Sequence, residues 1–239
     1  MKHQIINLLI FICFSALLAC KRNTTEMDLA FRQAAQIERS IKQTSFPDRI
    51  FSILDYGALA GDSCFLNHEA INKAILECSL DGGGTVIIPA GEFYTGPIRL
   101  KSNVNLHLEK EAVLKFSTDT SLYLPQVLTR WEGVDCYNYH PLVYAYGETN
   151  IALTGHGVLD AQGQKGWWSM CGARHFGWTE GLPGQNQGGR NRLLRSAEEK
   201  LDISQHIMTP QDALRPQMVN FYRCKQILIE GITLLNSPF

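Results

Sequence analysis

The chain has 239 residues, 45% hydrophobic and 19% charged, which is enough for one domain with a sizeable core. Its 22 Lys and Arg almost balance 23 Asp and Glu, so the net charge of −1 makes no electrostatic case for nucleic acid as a partner. None of the seven cysteines forms a C-x-x-C pair, so a zinc site has no support either.

Lys2 and His3 precede an apolar run from Ile5 to Ala19 that is short for a membrane span and fits the core of a secretory signal. The run ends in Leu17-Leu18-Ala19-Cys20, which resembles a bacterial lipobox. A small residue directly before the cysteine favours lipidation of Cys20; ordinary signal cleavage with an incidental cysteine is the alternative. Residues 1–20 are therefore expected to be a lipoprotein signal peptide. A membrane attachment through the lipid follows, on the periplasmic or outer surface of a bacterial envelope. Of the five remaining cysteines, an odd number, buried free thiols are expected.

Residues 21–49 read as a tether with a leading helix, its apolar positions Ala30, Ala34, Ile37 and Ile41 at helical spacing. Ser45-Phe46-Pro47-Asp48 breaks it, and Phe51-Ser52-Ile53-Leu54 reads as a first strand. Asn67 is placed to cap a second helix whose apolar face is Ala70, Ile71, Ala74, Ile75 and Cys78. Asp81 and three glycines end that helix.

From Gly82 to Phe116 short apolar runs are punctuated by Gly, Pro, Ser and Asn, and Val104-Asn105-Leu106-His107-Leu108 alternates strictly. The unit recurs at Asn150 to Asp160 and at Gln226 to Asn236, each time as an alternating run, a glycine corner and a second short run. Such self-similarity predicts a coiled stack in which each turn buries its inward residues against the next. The fold class expected for 50–239 is all-β, a right-handed parallel β-helix (solenoid) whose open end the second helix caps. An antiparallel sandwich of unrelated strands is the competing architecture, though the Asn-Gly and Asp-Gly hairpin turns it favours are lacking, Asp81-Gly82 entering a triple glycine instead.

Two stretches leave the repeat. Ser117 to Pro141 carries Tyr123, Trp131, Tyr137 and Tyr139; Gly163 to Leu214 carries Trp167, Trp168, Trp178, Arg190, Arg192 and Arg195. Excursions of this size are commonly loops over a functional face. Aromatic faces beside polar groups suit sugar rings, and arginines suit carboxylates through paired hydrogen bonds. Trp131 and Arg215 are the candidate substrate-binding residues; packing of the loop onto the stack is the alternative for Trp131 and a solvated loop for the arginines.

Asp55-Tyr56-Gly57-Ala58, Gly82-Gly83-Gly84-Thr85-Val86 and Pro89-Ala90-Gly91-Glu92-Phe93 resemble the entry to a pectin-degrading β-helix enzyme. Thr95-Gly96-Pro97-Ile98 and Leu100-Lys101-Ser102-Asn103-Val104 continue the resemblance. Arg215-Pro216 and Asn236-Ser237-Pro238-Phe239 narrow it to glycoside hydrolase family 28, the polygalacturonases. The resemblance covers about Ile50 to Phe239 and implies inverting hydrolysis of galacturonosyl linkages by a monomer. It implies a polysaccharide or oligosaccharide substrate and no metal or organic cofactor.

The same resemblance implies where the acids should be. Glycoside hydrolysis needs a carboxylic acid for the leaving oxygen and a carboxylate for water. In the family these lie in an Asn-Thr-Asp segment and an Asp-Asp pair, followed by Gly-His-Gly and Arg-Ile-Lys. This chain has no Asn-Thr-Asp, Asp-Asp or Arg-Ile-Lys, so no catalytic residue is assigned within it and the acids are expected downstream of Phe239. Gly155-His156-Gly157 spells the histidine motif far upstream and is expected to be a corner between strands, as is Asp160. A non-catalytic β-helix that binds polysaccharide, an inactive fragment, and a lyase on the same fold are the alternatives; Arg215-Pro216 and Asn236-Ser237-Pro238-Phe239 disfavour the lyase.

Overall fold

The computed structural model describes residues 26–239. The expected signal peptide and Cys20 lie outside the described residues. Residues 26–40 form helix α1, in which Met27, Leu29, Phe31 and Ile37 are exposed. Residues 43–239 form a separate unit.

That unit is built in coils. Strands β1 (Ile50–Ser52), β2 (Gly84–Ile88), β5 (Val104–Leu108), β10 (Thr149–Gly155) and β13 (Lys225–Glu230) stack as one sheet. Strands β3 (Gly91–Thr95), β6 (Ala112–Phe116), β11 (Val158–Asp160) and β14 (Thr233–Leu235) form a second. A third contains β4 (Ile98–Arg99), β9 (Val143–Tyr146) and β12 (Val219–Tyr222). Every pairing within these three sheets is parallel, so the sandwich is excluded and the fold is a parallel β-helix.

Alternation decides which side chains fill the interior. Val86, Leu106 and Leu153 are in register across the first sheet, Phe93, Leu114 and Leu159 across the second, and all six are fully buried. At the bend from the third sheet to the first, Asn103, Asn150 and Gln226 occupy equivalent left-handed positions, with φ of 64°, 58° and 57°. Their amides run in a ladder, Asn150 Nδ2 donating to Asn103 Oδ1 at 3.1 Å and Gln226 Nε2 to Asn150 Oδ1 at 3.2 Å. The chain around Ser45 is pinned across this ladder, its N–H donating to Asn150 Oδ1 at 3.0 Å.

Helix α2 (His68–Leu80) lies against β1, β2, β4 and β5 and buries Ala70, Ile71, Ala74, Ile75 and Cys78, as its spacing predicts. Asn67 takes the expected N-cap position at the start of α2, but its side chain does not cap. It has helical φ and ψ and makes no side-chain cap bond. Its amide instead donates to the Leu59 and Tyr94 carbonyls and accepts the Leu59 N–H at 2.7 Å, tying three segments together. The first strand is also shorter than expected, because Ile53–Tyr56 turn into a 3-10 helix. The five cysteines within the described residues are all free, and Cys78, Cys136 and Cys171 are buried.

Candidate functional site

Both long excursions leave the second sheet and return to the third, so they gather at one corner of the stack. The first contains an antiparallel hairpin, β7 (Val127–Trp131) and β8 (Val134–Asn138), turned by Glu132 and Gly133 at φ of 42° and 87°. Two successive positive φ values at a two-residue loop are what a tight hairpin with right-handed twist requires. The second excursion contains helix α3 (Gly189–Glu198).

These loops have their own small core of Trp131, Cys136, Leu193, Met208 and Leu214. The hairpin lies on the outer side of the third sheet. The Tyr144 hydroxyl donates to the Leu128 carbonyl, Asn220 Nδ2 to Thr129 Oγ1 at 3.0 Å, and Gln217 Nε2 to the Arg130 carbonyl at 2.9 Å.

Trp131 and Arg215, the two predicted binding residues, meet at this corner. Trp131 is fully buried, its Nε1 donates to the Arg215 carbonyl at 3.2 Å, and its ring sits 5.1 Å from that of Phe239. It therefore offers no free face in this arrangement. Arg215 is half-buried: Nε donates to Gln185 Oε1 at 3.0 Å, Nη1 to the Pro238 carbonyl at 3.1 Å, and the guanidinium lies 5.2 Å over the Phe239 ring. Its Nη2 has no hydrogen bond among the described residues. Burial draws its pKa down, the direction expected where a cation loses water.

Of the other arginines, Arg190 pairs with Glu132 at 2.7 Å. Arg192 grips both oxygens of Asp212, at 2.7 and 2.6 Å. Asp135 faces Arg130 at 3.8 Å and Arg223 at 3.6 Å. Glu132, Asp135 and Asp212 are thus each paired with arginine. No group of three or more His, Cys, Asp and Glu able to hold a metal occurs among the described residues.

Asp212 is the firmest of these pairs, since it also accepts the Thr209 N–H at 2.7 Å and hydroxyl at 2.9 Å. Burial pushes its pKa up, but the Arg192 and Thr209 hydrogen bonds outweigh it and the net shift is downward. A depressed carboxyl contributes stability above its unfolded pKa and loses it as pH falls through the folded value. Asp212→Asn should thus cost about 2 kcal/mol at neutral pH, and the gap to wild type should close in acid below the ordinary aspartate range. Urea titrations across pH check this; a gap independent of pH would contradict it.

His156 stands between β10 and β11, exposed, with its N–H donating to the Leu108 carbonyl at 2.9 Å, so it is a corner residue. Asp160 accepts the Gln162 N–H at 2.9 Å and the Asn236 amide at 2.8 Å, also at a corner. Sequence reasoning did not single out Thr129 or Gln217, which brace the loops through partners more than eighty residues away; no local pattern announces such contacts.

A stack of parallel coils with two elaborated loops at one corner defines a loop-bearing parallel β-helix. No family model matches the chain. A hyperthermoactive exopolygalacturonase from Thermotoga maritima is similar in structure and sequence, with a TM-score of 0.81 and 43% identity over 86% of this chain and 46% of that one. A probable polygalacturonase of Vitis vinifera is 28% identical over 77% of this chain and 36% of its own length. An exo-poly-alpha-D-galacturonosidase of Dickeya chrysanthemi is 32% identical over 51% and 21%. The chain is similar to polygalacturonases over most of its length. It spans between about a fifth and half the length of these relatives.

Proposed function

We propose that this chain is part of a glycoside hydrolase acting on pectin-type polysaccharide, hydrolysing galacturonosyl linkages with inversion. The similarity to polygalacturonases carries the proposal, and the corner at Arg215 supports it. There a half-buried guanidinium with one unspent nitrogen lies over the Phe239 ring, a combination suited to a uronate carboxylate and its sugar ring. The catalytic acid and base lie outside these 239 residues on this reading, since they contain no Asn-Thr-Asp segment or Asp-Asp pair, and Glu132, Asp135 and Asp212 are paired with arginine.

The hairpin gives the proposal a mode of attack. Because β7–β8 covers the outer side of the third sheet, a substrate groove along that sheet would be closed at this level. A closed groove accepts a chain end rather than a chain interior, so exo action is favoured. With the full-length natural protein and polygalacturonate, monomers or dimers should appear from the start, with inverted anomeric configuration in the first product. Random oligomers would refute exo action, and no reducing-end release would favour a polysaccharide-binding β-helix that cleaves nothing.

Lipid attachment at Cys20 to the bacterial envelope completes the proposal, on the strength of Leu17-Leu18-Ala19-Cys20. Labelling cells with a fatty acid should mark wild type and leave Cys20→Ala unmarked; equal labelling would remove the anchor.

A further inference from the structure

A cleft of about 350 Å³ opens between α2 and β4, and neither Trp131 nor Arg215 lines it. Helix α2 supplies one wall with His68, Asn72 and Leu76, spaced four apart and so on one helical stripe. The other wall is Pro97, Arg99 and Lys101, spaced two apart and so on one face of an extended strand. His140 closes the cleft from the segment entering β9. No carboxylate lines it.

The walls are held rigid. Asn72 spends its amide on the facing strand, Nδ2 donating to the Pro97 carbonyl at 3.0 Å and Oδ1 accepting the Arg99 N–H at 2.8 Å. His140 Nδ1 bonds the Pro141 carbonyl at 2.6 Å, and its ring meets Tyr144 edge-on at 5.0 Å. Lys101 is fixed by Glu148 at 3.3 Å. Arg99 is different. Its guanidinium stacks 5.5 Å over the Tyr144 ring, the side chain is exposed, and it has no ion pair among the described residues. A cation pre-oriented on an aromatic face but without an anion is a docking point awaiting a planar acid.

We propose that this cleft binds a uronate unit of an acidic polysaccharide, with Arg99 taking the carboxylate through paired hydrogen bonds and Leu76 and Pro97 facing the apolar side of the sugar ring. The choice of a sugar acid rests on the polygalacturonase reading; the cleft's cationic, acid-free lining does not. Sites built on a helix and a strand hold their geometry better than sites on loops, and this one draws on both.

Affinity electrophoresis of the full-length protein tests it, in gels containing polygalacturonate or the same polymer fully methyl-esterified. Wild type should be retarded by the acidic polymer only, and Arg99→Gln should weaken that retardation about tenfold. Arg99→Lys should recover part of it, since the charge returns without the fork. Absence of retardation in wild type, or equal retardation of Arg99→Gln, overturns the proposal. Reducing-end release from trigalacturonate by wild type is read separately. Retardation that depends on Arg99 without any release would sink the hydrolase reading and leave the cleft standing as a binding site.

Discussion

Gly155→Ala is expected to abolish cooperative folding of the coils, or to leave a protein weaker by roughly 4 kcal/mol or more. Two independent effects add at this position. Gly155 has φ of 111°, a region that residues with a Cβ rarely enter. A Cβ there would also fall well inside the Leu108 carbonyl oxygen of the neighbouring coil, which is backbone and cannot swing aside. Relief would require the two coils to separate at their corner, breaking the parallel register that seats Leu153 on Leu106. The contrast is Gly57→Ala, where φ is 91° but nothing lies within 4 Å of the added atom. That substitution should cost only the backbone strain, about 1–2 kcal/mol. Urea denaturation of both variants decides the matter; similar midpoints would mean that coil spacing at Gly155 gives way easily.

The same corner shows why so much of the fold is legible in sequence. A solenoid repeats one local solution, so the alternation of Val104 to Leu108, the glycine at 155 and the glycine at 231 each report on structure within a few residues. Helix α2 is legible for the same reason, its five buried positions lying on one stripe. Asn67 stands at the N-cap as its place in the sequence suggests, but three carbonyl and amide partners brought in by tertiary structure take its side chain instead of the helix end. The hairpin was missed because Glu132-Gly133 is a weaker turn signal than Asn-Gly, and the aromatic residue beside it drew attention to sugar binding instead. Within the candidate site, residue types were readable but partners were not. Nothing within the sequence neighbourhood of Arg215 says that Gln185 and Pro238 will engage it.

Trp131→Ala should show which role that residue has. Truncating a fully buried tryptophan costs about 3–5 kcal/mol, from lost transfer energy and the cavity left behind. Here the loss falls on a cluster of only five buried side chains, separate from the main stack, so the damage should stay local. Amide exchange should accelerate across β7 and β8 while β5 and β10 remain protected. If the hairpin closes the groove, its loosening should also lengthen the first products released from polygalacturonate. Trp131→Phe keeps most of the ring and loses the Nε1 bond to the Arg215 carbonyl, at a cost of about 1 kcal/mol. A structural Trp131 predicts that Trp131→Phe keeps both the protection and the affinity for oligogalacturonide. A variant as well protected as wild type but clearly weaker in binding would instead make the indole itself a sugar contact, and would mean that the buried packing against Phe239 opens when substrate arrives.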